Sequence, residues 1–170
     1  MIEFLEGYED YFEDWVWEMS IASLLTLELM LFSFLLACFL GLIIALLRIS
    51  KNKYVSNFCK IYIGFFRGVP VLVILYWIYF AMPELGYEVL MISSFTAAIL
   101  GLGIHGSAFM AEVFRSGIQA LNIGQMEASL SLGMTPLNAL RYIILPQAIR
   151  IGLPPTANFA VGLLKETALC

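Results

Sequence analysis

Apolar positions in this chain come in long runs, not in the short alternations of a soluble fold. The window Leu29–Leu47 holds no charged side chain, and a helix needs about 20 such residues to cross the hydrocarbon core of a bilayer. Four hydrophobic segments emerge, at roughly residues 21–47, 68–83, 89–113 and 142–164. The last one contains Arg150 and the pair Pro154 and Pro155. Two adjacent prolines remove two backbone donors and are expected to break regular helix, which a membrane tolerates where neighbouring helices or a polar cavity satisfy the freed carbonyls. A kinked or packed segment is expected there. The pattern as a whole predicts an all-α, polytopic helical membrane protein.

Between the third and fourth segments the chain turns semi-polar, over about residues 120–136. Gly124 to Leu132 contains good helix formers in Gln125, Met126, Glu127, Ala128 and Leu130, and Gly133 follows as a residue able to take positive φ. Thr135 is placed to cap a second helix with Pro136 at its first position, running toward Ile143 and meeting Pro146. Helix, turn, helix is the expected local plan. Ala128, Ser129 and Ser131 are small enough for close approach of another backbone, while Met126, Leu130 and Met134 offer flexible apolar contact. An amphipathic loop on the lipid surface satisfies the same pattern.

Composition agrees with the pattern. Of 170 residues, 61% are apolar and 13% charged, with a mean hydropathy of +0.89, far too little polar surface for a soluble globule. The net charge of −4 is a local property, because Glu3, Glu6, Glu9, Asp10, Glu13, Asp14 and Glu18 all precede residue 19. Residues 1–20 therefore form an acidic, aromatic arm, and 21–170 a single transmembrane domain. Phe4, Tyr8, Tyr11, Phe12, Trp15 and Trp17 suit an interfacial anchor. No Lys or Arg precedes Arg48, so a basic leader region is lacking and the first span is expected to be retained.

Charge sets the orientation. Arg48, Lys51, Lys53 and Lys60 follow the first span without an acid, whereas the arm and the second connection, with Glu84 and Glu88, carry acids and no base. The positive-inside rule then places the N-terminus outside and residues 120–136 in the cytoplasm. Cys38, Cys59, Cys170 and the single histidine, His105, are too scattered to suggest a metal site.

Several other residues are candidates. Glu112 and Arg115 are three apart on one helix face, as an ordinary ion pair or as a gate or brace for the segment after it. Glu28 and His105 are ionisable groups inside expected spans and are candidates for a solute path, His105 equally a packed histidine beside Gly103, Gly106 and Ser107. Asn158 offers an amide to a solute or to a neighbouring helix. Arg67 could snorkel to the headgroups.

The spacing Glu127-Ala128-Ser129, three residues, Gly133, nine residues, Ile143-Ile144-Leu145-Pro146 resembles the EAA loop, E-A-A-x3-G-x9-I-x-L-P, of binding-protein-dependent ABC importer permeases, with Ser129 in place of Ala. RGVPVLVILYWIYF (67–80), AFMAEVFRSGIQALNIGQMEAS (108–129), ILPQAIRIGLPPTANF (144–159) and LLKETAL (163–169) extend the resemblance to the polar amino acid uptake branch, the glutamine, histidine and arginine type. The resemblance implies a transport subunit of a bacterial plasma (inner) membrane rather than an enzyme. Its short cytoplasmic helix would couple through Glu127, Ala128, Ser129 and Gly133 to two ABC ATPase subunits. A second permease subunit, identical or homologous, and an extracytoplasmic solute-binding protein complete the implied assembly. Arg67, Gly68 and Pro70 match a recurrent RGxP motif and, with Leu145 and Pro146, take structural roles. This chain would bind no cofactor, ATP and Mg being used by the ATPase, since its glycines form no phosphate loop. Nothing points to nucleic acid. Resembling permeases continue past a K-[DE]-T-[SA]-L block into one more span, so about four spans are expected here with a fifth missing.

Two other functions fit a polytopic chain. An ATPase-independent secondary transporter or channel usually shows internal repeats and buried titratable relays, and no repeat is evident. An intramembrane enzyme would have to combine His105 with Ser93, Ser94 or Ser107, without an activating motif.

Overall fold

The computed structural model describes residues 9–50, 52–84, 92–120 and 123–170. Glu3, Phe4, Glu6, Tyr8, Lys51, Glu88, the start of the expected third span at 89–91, and residues 121–122 of the polar loop lie outside the described residues. The described chain is helical: α1 Glu9–Arg48, α2 Lys53–Gly68, α3 Val71–Tyr76, α4 Met82–Glu84, α5 Ser94–Gln119, α6 Ile123–Ser131, α7 Pro136–Ala139 and α8 Leu145–Glu166. π-helical turns at Trp77–Ala81 and Leu140–Ile144 join α3 to α4 and α7 to α8, and a 3-10 turn, Thr167–Leu169, follows α8.

The arm and the first span are one helix. No Gly or Pro interrupts the sequence from Glu9 to Leu40, so nothing stops helical propagation at residue 20. Ser20, Ser23 and Thr26 return their hydroxyl protons to the carbonyls of Val16, Met19 and Ala22 at 2.6, 2.7 and 2.8 Å, which satisfies these groups without water.

The basic stretch after Arg48 is not simply a connection. Asn52 caps α2 by accepting the Tyr54 N–H at 3.0 Å, and Cys59 and Ile63 are buried on its inner face. The reason is periodicity: Val55, Cys59, Tyr62, Ile63 and Phe66 recur at helical spacing between the lysines. Gly68 ends the helix, Val69 is extended before Pro70, and the chain turns by 101° into the α3–α4 segment. Together the two bent halves are long and apolar enough for one crossing, so residues 68–83 supply only part of it.

One expectation about prolines also changes. The helix continues through Pro154 and Pro155 instead of breaking, and helical backbone also runs on past Pro146. Before Pro146 the Leu145 N–H bonds Leu140 O, and before Pro83 the Met82 N–H bonds Trp77 O. Both are five-residue separations. A widened turn moves the carbonyl that would collide with the proline ring, and the helix survives. After the proline pair, Thr156 donates its hydroxyl to Gly152 O at 2.8 Å.

Helix α5 is the centre of the bundle. Leu36, Ala37 and Met110 meet it or its partner in ascending order: Leu36 lies against Gly103, Ala37 against Gly106 and Gly41 against Met110, so α1 and α5 run parallel. Helix α8 runs the other way, with Gly117 against Ala148 and Gly152, and Gly106 against Phe159. The close approach of α1 depends on small residues four apart, Ser33, Ala37, Gly41 and Ala45, all buried. Without a hydrophobic driving force between helices in lipid, such backbone proximity supplies the packing. Leu29, Ala98, Leu102 and Leu163 close the core at the other end.

Candidate coupling site

These directions bring the end of α1 at Arg48, the end of α5 at Gln119 and the start of α8 to one side of the bundle. On that side α6, α7 and the π turn form a small helical hairpin. Gly133 has φ +82° and ends α6 in a Schellman motif: the Gly133 N–H bonds Leu130 O at 2.9 Å and the Met134 N–H bonds Ser129 O at 3.1 Å. A Cβ at Gly133 would meet nothing within 4 Å. Its constraint is therefore conformational and not steric. Thr135 caps α7, accepting the Asn138 N–H at 3.3 Å, with Pro136 in the first turn.

The motif positions divide by direction. Glu127 and Ala128 are exposed, whereas Ser129 is buried and donates its hydroxyl to Gln125 O at 2.6 Å. Ser129 faces its own chain, so its small size serves the packing of α6 inward. Ala139 and Ile144 are buried in the second arm of the hairpin. Gln147 of α8 donates to Gln125 Oε1 at 3.1 Å, tying α6 to the start of α8. Outward, Leu130, Leu132 and Leu137 are exposed, Leu132 at 84%, and Leu145 and Pro146 are exposed as well. The result is a rigid hairpin with an apolar outer edge.

Above it, Arg115 donates from Nε to Glu112 Oε2 at 2.9 Å and from Nη2 to the same oxygen, and its Nη1 reaches Gln119. One arginine thus fixes the last two turns of α5, next to the hairpin.

Arg67 lies over the Phe109 ring at 5.2 Å, and Phe109 continues through Phe159 to Phe34 with successive ring separations of 6.2 Å. This column links α2, α5, α8 and α1. His105 packs on Phe109 at 5.4 Å and is 6% exposed, with Nδ1 lacking a partner among the described residues. Glu28 and Asn158 are exposed on the outside of the described chain. The three candidates for a solute path are therefore not gathered into one pocket.

Two supports escaped sequence reasoning. Tyr62 bonds Ser107 at 2.8 Å, fastening α2 to α5, and no sequence signal pairs these residues. The small-residue stripe of α1 was findable, since Ser33, Ala37, Gly41 and Ala45 recur at intervals of four.

Comparison with known proteins places this architecture. The family described as "Binding-protein-dependent transport system inner membrane component" matches residues 37–170. The probable amino-acid permease protein YxeN of Bacillus subtilis (strain 168) is 43% identical over 161 residues, covering 90% of this chain and 72% of that protein. The probable amino-acid ABC transporter permease protein PatM of Vibrio harveyi is 39% identical, covering 85% and 65%. The arginine transport system permease protein ArgU of Corynebacterium glutamicum is 39% identical, covering 96% and 54%. The chain thus spans between about half and three quarters of these relatives. Among solved structures, an amino acid ABC transporter crystallised with histidines aligns with a TM-score of 0.75 at 39% identity, covering 89% of this chain and 72% of that one. The inward-facing MetNI methionine ABC transporter aligns with a TM-score of 0.75 at 22% identity, covering 92% and 74%, a likeness of fold. With its parallel α1–α5 pair, its capped hairpin and the family match over residues 37–170, the chain belongs to the family of binding-protein-dependent transport system inner membrane components.

Proposed function

We propose that the chain is the permease part of an ATP-driven importer of polar amino acids. Its α6 fits a groove on a separate ATPase subunit, and solute arrives from an extracytoplasmic binding protein. Two ATPases and a second permease subunit, the same or homologous, complete the assembly, and ATP and Mg are used by the ATPases. The observation that carries this reading is the hairpin itself: a helix stopped by Gly133 at φ +82°, tied to α8 through Gln125 and Gln147, with an exposed apolar edge. Such a rigid element can transmit displacement to the spans; a loop lying on lipid needs neither the cap nor the tie. Charge supports an external N-terminus, because the basic end of α1 at Arg48 and the hairpin share a side. The amino acid class is supported by the names of relatives that carry arginine or glutamine.

Purification of the full chain in mild detergent, followed by mass spectrometry of what accompanies it, tests the reading. Recovery of an ATPase subunit, with ATP-dependent uptake of a polar amino acid after reconstitution, is expected. Uptake by the chain in liposomes without any ATPase would instead establish a secondary transporter or channel.

A further inference from the structure

Helix α2 carries two different exposed stripes. Tyr54, Phe58, Ile61 and Phe65 form an apolar one, with Tyr54 88% and Phe58 72% exposed. Lys53, Asn57, Lys60, Gly64 and Arg67 form a basic and polar one, all exposed and spaced by four, three, four and three residues, which keeps them in line along the helix. At 3.6 residues per turn the two stripes lie about 120° apart, so they face different surroundings. Lipid suits the first. It does not suit the second, and the residue that decides this is Arg67.

Arg67 lies within the depth of the spans. Its guanidinium stands 5.2 Å from the centre of the Phe109 ring, and Phe109 is ten residues before the end of α5 at Gln119, about 15 Å along the axis. The neighbouring Met110 packs on Gly41. Gly41 is seven residues from Arg48 and thirteen from Glu28, about 10 and 20 Å along α1. Arg67 is nevertheless exposed, and among the described residues it makes no ion pair or hydrogen bond. No acid occurs from Leu29 to Pro83, and Glu112, one turn beyond Phe109, is held by Arg115 through Nε and Nη2. A charge at this depth faces a water-filled cavity or a partner's counter-charge, not lipid. Among the described residues an identical second copy brings no free acid to this level, since its own Glu112 is taken in the same way. Water is what remains.

We propose that the stripe from Lys53 to Arg67 is one wall of the aqueous path by which solute leaves toward the side of Arg48, and that Arg67 pairs with the solute's carboxylate. This rests on the importer reading and gives it a recognising group. Every amino acid carries an α-carboxylate whatever its side chain, so a cation at this depth reads the class and not the member. The face of the Phe109 ring holds the guanidinium in place without neutralising it. Between Lys60 and Arg67 the wall is smooth, because Gly64 has no side chain and open space over it. Lys60 and Lys53 continue the positive track toward the start of α2.

The test is thiol labelling of Gly64→Cys, where a Cβ meets nothing within 4 Å, in membranes holding the full chain with the proteins that accompany it. The exposed Cys170 is changed by Cys170→Ser. Two methanethiosulfonates, one bearing a sulfonate and one a trimethylammonium group, are applied, and labelled peptides are read by mass spectrometry. Gly64→Cys is expected to react with both, faster with the anionic reagent, while Ile61→Cys on the apolar stripe stays unlabelled. Arg67→Gln should lower the anionic-to-cationic rate ratio about fourfold at low ionic strength, the effect of one charge about 10 Å away in water on two probes of opposite sign. A mixture of glutamine, histidine and arginine should slow the labelling, and the same amino acids as α-amides should not. Absence of labelling at Gly64→Cys would put the stripe against lipid or protein. A ratio unmoved by Arg67→Gln, or acids and amides acting alike, would take the carboxylate away from Arg67. Each of these results overturns the proposal. Labelling needs neither ATP nor uptake, so failure here leaves the importer reading standing.

Discussion

Gly41 of α1 sits so close to Met110 of α5 that a Cβ built on it would stand 2.6 Å from the Met110 Cβ and 3.1 Å from the Ala111 backbone nitrogen. The neighbouring atoms are rooted in backbone and cannot swing aside. Even Gly41→Ala must push the two helices apart, and Gly41→Val more so, with a loss of about 1–3 kcal/mol. A fall in Tm in detergent checks this, and an unchanged Tm would show that the α1–α5 contact is looser than described.

Gly133 gives the opposite kind of sensitivity. Space around it is open, but φ +82° costs a β-carbon residue about 1–2 kcal/mol. Gly133→Val should therefore impair ATP-dependent uptake while leaving membrane insertion intact, and Gly133→Asn, which tolerates this conformation, should retain most activity. If size alone mattered, both variants would behave alike.

The Glu112–Arg115 pair should respond to exchange. Glu112→Arg and Arg115→Glu singly break the contact, and the double variant restores it three residues apart on the same face. Partial recovery of uptake in the double variant would mark the pair as a brace for the hairpin. No recovery would assign separate roles to the two residues.

Tyr62→Phe removes the bond to Ser107 while keeping the ring. A loss of about 0.5–1.5 kcal/mol is expected, smaller than for Gly41→Val. Comparable losses in Tyr62→Phe and Ser107→Ala, not additive in the double variant, would identify the link between α2 and α5.

Much of this was legible before any coordinates. Gly133 and Thr135 make the turn of the hairpin because local backbone chemistry allows few alternatives at those positions, and the charge-free run to Leu47 demands a span. The limits of legibility have physical causes. Lysines hid α2, since its inward face repeats every three to four residues beneath a basic stripe. The pair Pro154 and Pro155 suggested a break, yet α8 continues through both. Ser129 looked like an outward docking residue by size, yet it is buried against its own chain. The candidates Glu28, His105 and Asn158 were grouped by chemistry alone, and nothing in sequence specifies that two of them lie on the outer surface.

The π turn at Leu140–Ile144 fixes more than the passage of Pro146. One additional residue in a turn rotates everything before it by about 100° relative to an unbroken α-helix. The hairpin is thus mounted on α8 at a set angular phase. Deleting one residue between Leu140 and Ile144 would leave both elements intact but swing Leu132 and Leu137 around the α8 axis, away from the direction in which they now project.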